Sequence, residues 1–177
     1  MIPHSIVPPL VSLNEAQSFL RIESGDEEAL LAGLIRTSSE LCEQFIGQAI
    51  IAREFREFLP VAREWQRLRS FPVRSLTSVS GFGLSGAAAP LASGDYAFDI
   101  DQDGRGWVRM SGSPEAVQLE VHGTAGLAAD ANGVPEPLRQ GVLRLVAHLF
   151  SNRDGPSGEP PAAVTALWRP YRRMALR

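Results

Sequence analysis

Residues 12–47, SLNEAQSFLRIESGDEEALLAGLIRTSSELCEQFIG, decide how the chain is read. Ser12 and Glu15 stand at the S-x-x-E spacing of a capping box, and Leu13, Ala16, Phe19 and Leu20 recur at helical spacing. A first helix is therefore predicted from Ser12 to about Arg21. A turn at Ser24 and Gly25 follows. Asp26, Glu27 and Glu28 put negative charge where the free N–H groups of a second helix favour it. The apolar stripe of that helix is Leu30, Leu31, Leu34, Ile35, Leu41, Cys42, Phe45 and Ile46, and Gly47 stops it.

Working outward, residues 1–11 hold three prolines and read as an extended arm. Between Ile50 and His122 the periodicity drops towards two, with candidate strands at 53–59, 73–80, 96–100, 107–110 and 117–122. The Gly- and Ala-rich stretch 83–94 reads as a loop between strands. A third helix is predicted after Val134, with Pro135 and Pro137 in its first turn and Leu138, Val142, Leu145, Val146, Leu149 and Phe150 on one face, ending near Asn152. Beyond the Gly/Pro-rich break at 155–161, Ala162 to Trp168 can form a short helix that Pro170 terminates. These readings predict an α+β chain, mainly helical, with two long helices plus short N-terminal and C-terminal helices and a small antiparallel β-region inserted at about 50–122. The predicted organisation is an arm at 1–11, a domain at 12–154, and a linker and tail at 155–177.

The tail carries Trp168, Arg169, Tyr171, Arg172, Arg173 and Arg177 with no acidic residue after Pro161. Tryptophan, tyrosine and arginine are the residue types enriched at binding hot spots, and the charge suits an acidic partner surface. The alternative is that Leu167 and Trp168 fold back onto the domain while the arginines solvate the end.

Charge is unevenly spread. The 17 basic residues are all arginine, a planar fork suited to interface ion pairs, although a GC-rich genome would produce the same usage. Residues 1–60 hold nine acids and four arginines, whereas the segment after Pro161 holds four arginines alone. Ends of opposite sign suit head-to-tail contact between copies or docking onto an unlike partner. With 44% apolar and 21% charged residues the composition is that of a soluble globular protein. No apolar run approaches the ~20 residues that cross a bilayer, and residues 1–10 lack a basic leader region, so the chain is expected to be cytoplasmic when made, with no membrane association.

No motif for catalysis, cofactor or metal emerges. Asp99, Asp101, Asp103 and Gly104 match the opening of a calcium loop, but the twelfth position is Met110 rather than glutamate and the flanks read as strands. A polar hairpin turn is the simpler reading. His4, His122, His148 and the single cysteine, Cys42, lack metal-ligand spacing, and Cys42 reads as a buried thiol. No nucleophile elbow occurs, and Gly81-Phe82-Gly83 lacks the third glycine of a dinucleotide fingerprint. A non-enzymatic protein is expected. A nucleic-acid-binding or packaging-associated protein using the arginine-rich tail is the alternative, set against a pI near 5.6.

The ordered set formed by residues 12–50, FPVRSLTSVSGF (71–82), DYAFDI (95–100), GRGWVRM (104–110), VQLEVHGTAGL (117–127), VPEPLRQGVLRLVAHLFSNRD (134–154) and LWRPYR (167–172) resembles the head-tail connector, or adaptor, proteins of long-tailed phages, prophages and gene transfer agents. The resemblance covers about Ser12 to Arg173. It implies an adaptor domain working as one subunit of a homo-oligomeric ring of twelve copies, mounted between the portal and a stopper or tail-terminator protein in the particle's neck. DNA would pass through the lumen without specific binding. The β-rich insert would face a neighbour or the next ring. The C-terminal segment would reach the portal, making Trp168, Arg169, Tyr171, Arg172, Arg173 and Arg177 the portal-docking residues. Residues 1–11 and 83–94 have no counterpart in the pattern.

Overall fold

In the computed structural model, which describes residues 6–22, 25–83, 88–112, 116–152 and 159–173, the chain divides into two units. One comprises residues 52–127, the other residues 6–51 with 128–173.

The first unit is built entirely of antiparallel strands. Strand β1 (Arg53–Pro60) and strand β3 (Val73–Phe82) both pair with β7 (Gln118–Ala125), and β4 (Ala88–Pro90) continues the sheet beyond β3 in the order β1-β7-β3-β4. A second sheet has the order β2-β6-β5, from Gln66–Arg67, Gly106–Met110 and Tyr96–Ile100. Alternation along each strand sends one set of side chains inward. Phe55, Val79, Leu119, Val121 and Ala125 of the larger sheet meet Val108 and Met110 of the smaller one, with Leu68 and Val73, in a single apolar core. Phe55 lies directly across from Gly123, where an added Cβ would come within 2.8 Å of the ring and 2.4 Å of the Ser75 carbonyl oxygen. Only glycine leaves that space.

The second unit is helical. Helix α1 (Leu13–Leu20) has the capping box expected at its start: Ser12 Oγ accepts from Glu15 N–H at 3.2 Å, and Glu15 Oε2 accepts from Ser12 N–H at 2.7 Å. A 3-10 turn at Gly25–Glu27 leads into α2 (Glu28–Ile46), which ends on Gly47 at φ 71°. Helix α3 (Glu136–Ser151) and helix α4 (Ala162–Trp168) complete the unit. Its interior holds Leu31, Ile35, Cys42 and Ile46 from α2 and Leu138, Val142, Leu145 and Val146 from α3. Leu30, read as part of the apolar stripe, is exposed. Leu10 and Val11, read as part of an extended arm, are buried, and Leu10 N–H donates to Ser39 Oγ at 3.1 Å.

The expectation of a mainly helical domain is overturned. Of the described residues 38% are helical and 28% lie in strands, so four helices and seven strands in two antiparallel sheets share the chain. The β-region has two layers and a core of its own. Stretches with no visible alternation also form strands: around Gln66, β2 pairs with the distant β6, and within 83–94, β4 folds back on the neighbouring β3.

Candidate functional site

Helix α4 positions the tail. Trp168, its last residue, is completely buried: its ring centroid lies 5.8 Å from that of Phe45 on α2, and its Nε1–H donates to the Leu138 carbonyl at 3.3 Å. The indole rests on Gly141 of α3, a position where any Cβ would fall 2.0 Å from Nε1. A 3-10 turn at Arg169–Tyr171 follows, opened by Pro170, which cannot donate to the preceding helix. Gln48 Nε2 donates to the Tyr171 carbonyl at 2.8 Å, and Arg173 N–H donates to the Ile46 carbonyl at 2.9 Å. The segment is therefore stitched to the C-terminal end of α2.

The sequence-derived docking residues thus separate. Trp168 faces inward, so the alternative in which it folds back onto the domain describes the single chain. Tyr171 and Arg173 are half-buried, whereas Arg169 and Arg172 are exposed. The Arg172 guanidinium lies 5.4 Å from the Phe45 ring centroid, a cation–π distance that holds the charge at the surface. Arg177 lies outside the described residues. Sequence reading placed Phe45 on the apolar stripe of the second helix without linking it to the tail, and missed Gly141 and Gln48; a glycine inside an apolar helix was the available signal of a close approach.

Elsewhere, the Asp99–Asp103 cluster forms the β5–β6 hairpin turn. Asp101 Oδ1 accepts from the N–H groups of Asp103 (3.0 Å) and Arg105 (2.8 Å), and Oδ2 from Trp107 Nε1 at 3.1 Å. Desolvation works to raise the Asp101 pKa, but the bonds from Arg105, Trp107 and Asp103 and the Arg105 charge outweigh it and hold the carboxyl below its ordinary value. Its oxygens are taken up by N–H groups of its own hairpin, and among the described residues no group of three His, Cys, Asp or Glu could hold a metal ion. Burial pushes the Cys42 thiol far up, with the Glu43 charge adding to the effect, which leaves it an inert core group. His122 Nε2 lies 3.2 Å from Glu120, His148 Nδ1 lies 3.3 Å from Asn152 Nδ2, and His4 is outside the described residues. Among the described residues no helix is long and apolar enough to cross a membrane.

What the site presents is a tail segment pinned by one aromatic anchor, with two arginines outward, on a helical unit joined to a double-layered β unit. Solved structures share that fold. A chain in the neck of an empty gene transfer agent particle, computed with C6 symmetry, matches at a TM-score of 0.77 and 25% identity, over 100% of this chain and 96% of that one. A chain in the virion of a native gene transfer agent particle matches at 0.73 and 25%, over 100% and 94%. One in the neck of a native particle computed with C12 symmetry matches at 0.74 and 24%, over 100% and 94%. The resemblance drawn from the sequence is borne out by these likenesses. No protein-family model matches the chain, and no curated protein does.

Proposed function

We propose that this chain is a structural component of the neck of a phage-like particle of the gene transfer agent kind. More finely, it acts there as the head-tail adaptor, one subunit of a homo-oligomeric ring between the portal and the stopper or tail components. The observation that carries the reading is the end-to-end likeness to neck chains, which spans all of this chain and leaves almost none of theirs unmatched. C6 and C12 symmetry in those necks supports a homo-oligomeric ring; the proposed ring has twelve copies and assembles in the cytoplasm before joining the head.

The mechanism is geometric. Each copy offers one face to the copy on its left and a different one to its right, and the rotation closes. Closure gathers many tail segments, so weak individual dockings add into firm attachment to the portal. Arg169 and Arg172 supply the outward charge for that docking, while Trp168 fixes the segment that carries them. A net charge of -3 over the chain suits a lumen through which DNA slides, because holding DNA requires neutralising its phosphates. The buried indole of Trp168 is not placed to stack on a base, which weighs against the nucleic-acid-binding alternative.

Imaging of purified particles tests the neck assignment, with twelve copies in one annulus expected and absence from the neck overturning it. Portal docking is tested separately by Arg169→Glu with Arg172→Glu. This double variant should fold and form rings yet lose portal capture at least tenfold in a pull-down, and undiminished capture would remove the docking role.

A further inference from the structure

The outer face of the smaller sheet sets tryptophan and arginine side by side. Val108 and Met110 of β6 are buried in the core, so Trp107 and Arg109, of the opposite parity, point out. Arg67 of β2 stands directly across from Trp107 and shares its face. Trp65, two residues before Arg67, has the same parity, and the Arg109 guanidinium lies 4.7 Å from its ring centroid. Register and contact thus join the four into one patch, in which each tryptophan has an arginine beside it on the neighbouring strand.

The charge of this patch is not spent within the chain. Arg67 and Arg109 are exposed, and among the described residues neither has a carboxylate partner, whereas nearby Arg105 has Asp101 at 3.9 Å and Asp103 at 3.6 Å. Asp99, across from Trp107 on β5, is the one acid on the paired strands of this face. Although the chain is acidic, residues 61–80 hold four arginines and a single glutamate. Trp65 is 42% exposed, and half-buried Trp107 is fixed at its edge by the bond from its Nε1–H to Asp101.

A single strand of nucleic acid repeats a flat ring and an anion at every nucleotide, and this face repeats a flat ring and a cation. We propose that it binds single-stranded DNA without regard to sequence, a base stacking on Trp65 and phosphates lying at Arg67 and Arg109. The site is separate from the arginine-rich tail and does not depend on the ring reading. An intact duplex keeps its bases stacked inside and has no ring to offer Trp65, so double-stranded DNA stays free to slide. Frayed or single-stranded ends are what the patch holds.

The test titrates the full chain into labelled oligothymidine and reads fluorescence anisotropy, with a duplex of the same length as the comparison. Oligothymidine should bind at least tenfold more tightly than the duplex. Two neutralised phosphates give a slope of about −1.4 in log affinity against log salt, a loss of about sevenfold between 50 and 200 mM. Trp65→Ala should weaken binding at least fivefold, with Trp65→Phe restoring most of it. Arg67→Gln should reduce the slope by about 0.7, and it decides alone should Trp65→Ala fail to fold. No binding at low salt, equal affinity for the duplex, affinity untouched by Trp65→Ala, a slope untouched by Arg67→Gln, or tighter binding of a polyglutamate peptide would each overturn the site while leaving the neck assignment standing.

Discussion

Trp168 closes onto Gly141 so tightly that a single methyl group at position 141 would overlap the indole nitrogen at 2.0 Å. Helix propensity alone says that Gly141→Ala in the middle of α3 should stabilise by about 1 kcal/mol. The contact reverses the sign. Gly141→Ala should destabilise by about 1–3 kcal/mol, because the largest fully buried side chain of the unit must move. Trp168→Ala should cost about 3–5 kcal/mol, a large aromatic lost from a packed site. Denaturant midpoints of the two variants check this, and a stabilised Gly141→Ala protein would contradict the packing.

Glu57 points from β1 into the β unit and holds a loop. One carboxylate oxygen accepts from Arg69 N–H at 2.8 Å, the other from Ser70 N–H at 2.6 Å. Glutamine has one acceptor oxygen, and its NH2 would oppose the second N–H. Glu57→Gln should therefore destabilise by about 1–3 kcal/mol. Amide exchange supplies the specific readout: protection should fall at Arg69 and Ser70 before it falls along β7.

Glu15 joins the capping box to a second helix, since Arg139 of α3 pairs with its other oxygen. The bond from Ser12 N–H is the largest influence lowering its pKa; burial opposes it, and the Ser12 hydroxyl and Arg139 add to the lowering. A carboxyl whose folded pKa lies below its unfolded value contributes stability above the unfolded value and loses it as pH falls through the folded one. Because the side chain is 38% exposed, water screens much of the Arg139 attraction. Glu15→Gln should thus destabilise by only about 0.5–1 kcal/mol at pH 7. Below pH ~4 the gap to the parent chain should close. Unfolding curves across pH 3–7 measure it, and a gap that widens on acidification would refute the assignment.

Helix boundaries were legible because their causes are local. The Ser12–Glu15 box, the stop at Gly47 and the break at Pro170 act within a turn or two of the chain, and α1, α2 and α4 end where those residues require. The sheets were only partly legible. Residues 96–100 alternate visibly, whereas β2 and β4 are short, and β4 is exposed throughout. β2 exists because the distant β6 pairs with it, which no local pattern records, and β4 is only three residues that fold back on the neighbouring β3.

The candidate site divides in the same way. Composition marked residues 168–173 as a concentration of arginine and aromatic groups, and no structure was needed to notice it. Which of them face out was not visible, because the orientation of Trp168 depends on Gly141, 27 positions earlier, and that of Arg172 on Phe45. The amino-acid sequence by itself determined the helices, their caps and the sign of charge at each end, all set by neighbours a few bonds apart. Tertiary structure alone decided that the β-region is a two-layered unit and that the tail's tryptophan points inward, since burial is a property of surfaces brought together from remote parts of the chain.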